Sequence, residues 1–309
     1  MIKILQGNCI DKIKELDDNS IDCVVSSPPY FGLRDYGVDG QFGLEKSYKD
    51  YLTNTVKIFE TFKPKLKDTA TIWWNVGDSY SSKPTGNIGK SIKQKSNNGS
   101  HDNFKRLDKT SDITEKNLMM IPNRVAIALQ DAGWYIRSEI IWHKPNPMPE
   151  SVRDRPTSCH EKIWLITKNK KYYYDHESIK EPAKDWGTRD RKKGSAFVDA
   201  TPGRSKQAGG KDCNFAEKGR NKRNVWTITT KPFKDAHFAT FPKDLIEPCI
   251  KAGCPEGGVV LDPFGGSGTT GIVAALNNRN AILIELNQNY IDIANKRIDK
   301  EVGLFNGKV

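Results

Sequence analysis

Long hydrophobic runs are missing from this chain of 309 residues. No stretch approaches the roughly 18 consecutive apolar residues that a membrane-spanning helix needs. The first residues, MIKILQGNCIDKIKEL, become charged too early for a secretory signal peptide. These absences predict a soluble, cytoplasmic protein that has no membrane partner.

The usual patterns of metal and nucleoside-triphosphate sites are missing as well. The six cysteines never form a C-x-x-C pair and the five histidines are scattered, so the sequence predicts no metal site. The nearest approach to a Walker A motif, residues 86–91, is two residues too short, which argues against a P-loop.

The net charge of the chain is +11, and two polar segments contain all of it. Residues 81–117 have a net charge of +4 and residues 180–224 a net charge of +7, so the rest is neutral overall. The second segment interleaves arginines with Trp186 and glycines. This composition favours contact with a nucleic acid over a solvated loop. The candidate contacts are Arg189, Arg191, Arg220, Lys222 and Arg223.

Short apolar runs alternate with segments of helical periodicity along most of the chain. The run IDCVV stops at SSPPY, and the last third repeats strand, Gly-rich turn, helix and strand with short connections. This alternation of strands and helices predicts an α/β fold with a doubly wound, largely parallel sheet covered by helices on both faces. The polar residues 81–117 interrupt it as a mobile loop, and residues 180–224 interrupt it a second time.

A glycine-rich turn follows one of these predicted strands and opens a predicted helix. It reads Asp262-Pro-Phe-Gly-Gly-Ser-Gly-Thr-Thr270. Glycine lets the backbone approach a ligand, and the helix start presents free N–H groups. Glu285 ends the next predicted strand, where it can accept both hydroxyls of a ribose. Because G-x-G-x-x-G does not follow the strand directly, the turn favours S-adenosylmethionine over a dinucleotide.

A second motif, Ser27-Pro28-Pro29-Tyr30, stands at the end of the buried strand IDCVV. Open α/β sheets bind ligands at this edge. A hydroxyl and a backbone carbonyl that accept the hydrogens of an exocyclic amine would localise its lone pair toward a sulfonium methyl group. Tyr30 could stack on a base taken out of its helix. The motif therefore predicts methylation of a nucleobase amine.

Together the two motifs resemble those of site-specific DNA amino-methyltransferases of the β arrangement, which methylate cytosine N4 or adenine N6. In that arrangement the S/D/N-P-P-Y motif comes first, a target-recognition region lies in the middle and the D-P-F-x-G-x-G-T-T motif comes last. The resemblance extends over nearly the whole chain through further segments: QFGLE, WWNVGDSY, AGWYIRSEIIWHKPNPMPESVRDRPTSCHEKIWLITK, RNKRNVWTI, HFATFPKDLIEPCIKAGCPEGGVVLDPFGGSGTTG and IELNQNYIDIA.

The resemblance implies a Rossmann-like S-adenosylmethionine-dependent fold with an inserted target-recognition region. Residues 1–179 would form its catalytic part, residues 180–224 the insertion and residues 225–309 the cofactor-binding part. Ser27, Pro28, Pro29 and Tyr30 would hold the target amine. The cofactor residues implied are Asn8, Cys9, His237, Asp262, Phe264, Gly266, Gly268, Thr269 and Glu285.

Two questions of function stay open at this point, the target base and the class of protein. Ser27 favours cytosine N4, because serine is commoner than aspartate or asparagine at this position in cytosine-N4 enzymes. Adenine N6 is the alternative base, and a catalytically silent nucleic-acid-binding protein on the same fold is the alternative class. The expected partners are double-stranded DNA, a cognate restriction endonuclease and a second copy of the chain in a homodimer.

Overall fold

The computed structural model describes residues 1–83, 113–182, 219–230 and 241–303. These residues fall into two compact units, Met1–Asp175 with Asn224–Val309, and His176–Arg223. Arg189, Arg191 and His237 lie outside the described residues, as do positions 84–112 of the predicted loop.

The larger unit contains eight strands and six helices within its described residues. In chain order they are β1 (Ile2–Gln6), α1 (Cys9–Lys14), β2 (Ile21–Ser26), α2 (Tyr48–Phe62), β3 (Leu66–Val76), α3 (Ile121–Asp131), β4 (Tyr135–His143), β5 (His160–Thr167), β6 (Val225–Thr227), α4 (Lys243–Gly253), β7 (Val259–Asp262), α5 (Thr269–Leu276), β8 (Asn280–Glu285) and α6 (Gln288–Glu301).

All eight strands belong to one sheet in the order β1-β8-β7-β2-β3-β5-β4-β6. Five of the seven strand pairings are parallel, and the prediction of an α/β fold with a largely parallel sheet is confirmed. All six residues of β2 are buried, as expected for a central strand that is covered on both faces.

Strand β5 departs from the parallel pattern. It pairs antiparallel with both β3 and β4. The connection from β4 to β5 contains no helix that could carry the chain back across the sheet, and Lys144 N donates to Cys159 O at 2.8 Å where the two strands meet. Consequently the beginning of β5 lies at the same edge as the carboxyl ends of β2 and β3.

An aromatic cluster fixes α2 and α3 against β3. The Phe59 ring lies 5.0 Å from Trp74 and 5.3 Å from Trp134, measured between ring centroids, in edge-to-face geometry. All three side chains are buried. Ser47 begins α2 by accepting from the Asp50 amide, and Gly133 at φ +89° follows the end of α3.

The strand order reverses direction between β2 and β7. From β2 the sheet continues to β3, whereas from β7 it continues to β8 on the other side. Open α/β sheets form their ligand crevice at such a reversal, outside the carboxyl ends of the strands. Ser27 follows β2 and Pro263 follows β7, so both motifs begin at this point of the sheet.

Asp22 connects the beginnings of three strands. Its buried carboxylate accepts from Lys67 Nζ at 2.8 Å and from the Val259 amide at 2.9 Å. Replacing Asp22 with alanine removes the acceptor of both groups. We expect Asp22→Ala to lower the free energy of unfolding by about 2 kcal/mol, measured from urea transitions.

Asp18→Ala is the matched control, because Asp18 pairs with Lys65 at 2.7 Å but its side chain is 71% exposed. Its loss should stay below about 1 kcal/mol. Equal losses for the two variants would contradict a structural role for the buried carboxylate.

Candidate active site

A cavity of about 530 Å³ lies where the strand order reverses. This volume is within the range of about 300–1,000 Å³ typical of small-molecule sites. Eleven of the residues predicted from the two motifs and their resemblance line it: Asn8, Cys9, Ser27, Pro28, Pro29, Tyr30, Asp262, Phe264, Gly266, Thr269 and Glu285. The structure thus brings the Ser27–Tyr30 motif and the glycine-rich turn, which are far apart in sequence, to one cavity.

Asp262 joins the two motifs through a buried carboxylate. Its Oδ1 accepts from Ser26 Oγ at 2.7 Å and from the Phe264 amide at 3.1 Å, and its Oδ2 accepts from Thr270 Oγ1 at 2.5 Å. Burial raises the pKa of Asp262 to about 6, and the hydrogen bonds oppose this rise. All these bonds hold elements of the protein together, so Asp262 shapes the wall of the cavity.

Glu285 organises the glycine-rich turn from the end of β8. Its Oε2 accepts from the Gly266 amide at 2.9 Å and its Oε1 from the Asn287 amide at 2.8 Å. Burial raises the pKa of Glu285 and these hydrogen bonds oppose the rise. Glu285 also lines the cavity.

The Ser27–Tyr30 motif is part of a hydrogen-bond network. Ser27 Oγ donates to the Tyr30 hydroxyl at 3.1 Å, and that hydroxyl donates to Glu161 Oε2 at 2.6 Å. Asn75 Oδ1 lies 3.1 Å from the same hydroxyl. Burial and then the adjacent Glu161 carboxylate raise the pKa of Tyr30 well above its usual value.

The Tyr30 ring packs against Gly77, the residue after β3. A Cβ atom at this position would lie 2.5 Å from Tyr30 Cε2 and 2.8 Å from Cδ2. Only glycine therefore leaves room for the ring where the structure has it. Stacking of a base on the Tyr30 ring stays a prediction.

The two proline carbonyls of the motif have different environments. The Pro29 carbonyl accepts from the Tyr51 hydroxyl at 3.2 Å. Among the described residues, no group donates to the Pro28 carbonyl. Ser27 Oγ and the Pro28 carbonyl are therefore two oxygen acceptors at the end of β2.

Two of the predicted cofactor residues, Asn8 and Gly268, have evident structural roles. Asn8 caps α1 by accepting from the Ile10 amide at 2.9 Å, and burial raises the pKa of the Cys9 thiol to about 12. Gly268 is not among the residues that line the cavity. A Cβ at Gly268 would lie 3.0 Å from Ala294 Cβ, so this glycine permits α6 to pack against the turn.

The second unit, His176–Arg223, contains the described part of the predicted DNA-binding segment. Glu181 Oε2 lies 3.2 Å from Arg220 Nε and 3.2 Å from Arg223 Nε. Both arginine side chains stay partly exposed, at 38% and 68%. The DNA-contact role of Arg220, Lys222 and Arg223 stays a prediction.

The fold and the cavity are those of an α/β enzyme with its ligand site at the reversal of strand order. A family model described as DNA methylase, N6_N4_Mtase, matches residues 21–296. The chain belongs to this family. The predicted enzyme class, a DNA amino-methyltransferase that uses S-adenosylmethionine, is confirmed.

Characterised relatives are similar over most of their length. The Type II methyltransferase M.Cfr9I of Citrobacter freundii is 43% identical, over 96% of this chain and 88% of the relative. The Type II methyltransferase M.SmaI of Serratia marcescens is 44% identical, over 96% of this chain and 90% of the relative. The similarity thus places this chain among methyltransferases of restriction-modification systems.

Solved structures share the fold at low sequence identity. PvuII DNA methyltransferase (cytosine-N4-specific) superposes with a TM-score of 0.64 at 17% identity, over 99% of this chain and 91% of that chain. TTHA0409 of Thermus thermophilus, described as a putative DNA modification methylase complexed with S-adenosyl-L-methionine, superposes with a TM-score of 0.58 at 20% identity, over 98% and 96%.

Sequence reasoning assigned no site role to four residues that contact Tyr30 or its partner: Asn75, Gly77, Lys144 and Glu161. Asn75 and Gly77 belong to WWNVGDSY, and Lys144 and Glu161 belong to the longest segment of the family resemblance. The sequence feature that could have pointed to them is a polar residue at the end of an apolar run. Without knowing that β5 is antiparallel, that signal does not place Glu161 beside Ser27.

Gly77→Ala tests the position of Tyr30. The added methyl group should displace the ring, and a misplacement of about 1 Å can lower turnover by about 100-fold. We expect methyl transfer to DNA, measured with radiolabelled S-adenosylmethionine, to fall by about this factor. Gly303→Ala is the control, since among the described residues, apart from its chain neighbours, no atom lies within 4 Å of a Cβ there. Equal turnover of the two variants would show that the Tyr30 position does not matter.

Proposed function

We propose that this chain transfers the methyl group of S-adenosylmethionine to N4 of a cytosine in DNA. The observation that carries the proposal is the pair of oxygen acceptors, Ser27 Oγ and the Pro28 carbonyl, at the edge of the cavity. Serine in the first motif position supports cytosine. The fold shared with PvuII DNA methyltransferase, named as cytosine-N4-specific, gives further support.

The two acceptors address the main chemical difficulty of the reaction. The exocyclic amine of cytosine is a poor nucleophile, because its lone pair is delocalised into the ring. Hydrogen bonds from its two N–H groups to Ser27 Oγ and to the Pro28 carbonyl would localise the lone pair on nitrogen. Since the acceptors lie within a cavity, the base must leave the duplex stack to reach them.

The residues of the second motif fit S-adenosylmethionine. Glu285 is an acid in the cavity wall at the end of β8, where a carboxylate suits the two hydroxyls of a ribose. Gly266, at φ +48°, would have only one atom within 4 Å of an added Cβ, so the turn leaves its backbone open to a ligand. Phe264 also lines the cavity and would contribute apolar contact. When bound, the cofactor supplies a methyl group activated by its sulfonium.

The remaining partners are part of the same proposal. Double-stranded DNA would approach residues 180–224, whose net charge of +7 favours phosphate contacts. The relatives are Type II methyltransferases, which supports a cognate restriction endonuclease acting on the same sequence. A homodimer stays a prediction from the family resemblance.

Glu285→Ala tests the cofactor site. The variant loses two acceptors of charge-assisted hydrogen bonds, each worth about 1.5–3 kcal/mol. We expect calorimetric titration with S-adenosylmethionine to show affinity at least about 10-fold weaker than for the unchanged chain. Glu247→Ala, which removes a half-exposed Glu–Lys pair on α4, should bind normally. Unchanged affinity in a folded Glu285→Ala variant would place the ribose elsewhere.

Identification of the product tests the target base. The chain is expressed in cells that lack DNA methylation, and the total nucleosides of their DNA are analysed by mass spectrometry. We expect N4-methylcytosine with the unchanged chain and none above background with Tyr30→Ala, because that variant loses stacking and positioning of the base. N6-methyladenine instead would overturn the choice of base while leaving the family unaffected.

A further inference from the structure

Glu161 is a carboxylate that neither motif includes, yet it ends the hydrogen-bond chain that starts at Ser27. It is the second residue of β5, and the antiparallel direction of β5 brings it to the cavity. Its side chain is 15% exposed. The distances along the chain are 3.1 Å from Ser27 Oγ to the Tyr30 hydroxyl and 2.6 Å from that hydroxyl to Glu161.

The direction of each hydrogen bond follows from the groups present. An ionised carboxylate only accepts, so Tyr30 must donate its single proton to Glu161, the closer and charged acceptor. The Tyr30 oxygen is then an acceptor, and Ser27 donates its proton to it. As a result, Ser27 Oγ keeps its lone pairs for an N–H group in the cavity.

The second oxygen of the Glu161 carboxylate faces an ammonium group. Lys144 Nζ pairs with the other oxygen of Glu161 and lies 4.3 Å from the centre of the Trp142 ring. Trp142 is itself fixed, since its indole N–H donates to the Ile228 carbonyl at 2.8 Å. Oε2 of Glu161 therefore remains directed at Tyr30 while the ammonium group balances the charge.

Methyl transfer to an amine creates a proton that must leave. The nitrogen lone pair forms the bond to the methyl carbon, the sulfur–carbon bond breaks with its electrons staying on sulfur, and the nitrogen becomes positively charged. Loss of one N–H proton restores a neutral base. Ser27 Oγ can accept this proton, because its own hydroxyl proton is hydrogen-bonded to the Tyr30 oxygen and can move there.

We propose that Glu161 is the final acceptor of this proton, through a relay of Ser27 and Tyr30. The amine proton moves to Ser27 Oγ, the Ser27 proton moves to the Tyr30 oxygen, and the Tyr30 proton moves to Glu161. Every hydroxyl ends with one proton, and the carboxylate becomes a carboxylic acid. Glu161 acts through Tyr30, so it is a positioning and proton-accepting residue that does not touch the base.

The raised pKa of Tyr30 agrees with this role. A phenol that stays protonated passes a proton on as it receives another, and it does not store negative charge. The inference rests on the proposed transfer to an exocyclic amine of DNA, and it holds for cytosine and adenine alike.

Three variants test the relay: Glu161→Gln, Tyr30→Phe and the double variant. Glutamine can still accept from Tyr30 but cannot take up a proton. We expect Glu161→Gln to lower kcat for DNA methylation by about 100-fold or more, with the KM for DNA and the affinity for S-adenosylmethionine unchanged. Tyr30→Phe should cause a similar loss, and the double variant should be no slower than the slower single variant.

Glu139→Gln is the matched control. It breaks the neighbouring Glu139–Lys162 pair between β4 and β5, where nitrogen and oxygen lie 2.5 Å apart, and Glu139 does not line the cavity. This variant should keep the kcat of the unchanged chain. Wild-type turnover in Glu161→Gln, or independent and multiplicative losses in the double variant, would overturn the relay.

A measurement without turnover completes the test. In protein labelled with ¹³Cζ-tyrosine, the Tyr30 resonance is assigned by its loss in Tyr30→Phe. This resonance should shift in Glu161→Gln and stay in place in Glu139→Gln, and an unmoved resonance in both would overturn the hydrogen-bond chain. Nucleoside analysis of the wild-type product separates the two proposals. Detection of N6-methyladenine in the wild-type product would overturn cytosine as the target base. The relay itself is tested by the Glu161 and Tyr30 variants.

Discussion

The buried carboxylate of Asp262 is the constraint on which the site depends. It accepts from Ser26 at the end of β2 and from Thr270 in the first turn of α5. Ser26 directly precedes the motif that presents the amine acceptors, and Thr270 closes the motif that forms the glycine-rich turn. One carboxylate therefore sets the spacing between the end of β2 and the start of α5, and so between the two motifs.

Burial of the Asp262 carboxylate disfavours its charged form. Burial raises the pKa of Asp262 to about 6, and three hydrogen bonds oppose that rise. Glu285 lies in the same cavity with its own pKa raised by burial. Two carboxylates near one ligand suit a cationic sulfonium compound, because its positive charge would favour the ionised form of both.

Much of the fold and both motifs could be predicted from the sequence for clear physical reasons. The run IDCVVS is apolar throughout because β2 is buried on both faces, and Pro28 and Pro29 mark where it stops. Gly266 and Glu285 were recognisable because a glycine-rich turn after a strand and an acid at the end of the next strand together indicate a nucleoside site. These signals are local in sequence.

The residues that escaped prediction depend on non-local geometry. Glu161 reaches Tyr30 only because β5 runs against its neighbours, and a short apolar run is compatible with either direction. Gly77 matters because of the ring that lies against it, which its own sequence context does not reveal. Residues Asn75 and Lys144 share this property, so the second half of the site becomes visible only when the strands are assembled.

The hydrogen bond between Ser26 and Asp262 also spans 236 residues of sequence. Strand β7 must insert between β2 and β8 before the cavity exists, and contacts this distant in sequence make folding slow. A ligand that binds only the completed cavity stabilises the folded chain by mass action. The concentration of methyl donor therefore enters the folding equilibrium of any chain that binds it in this cavity.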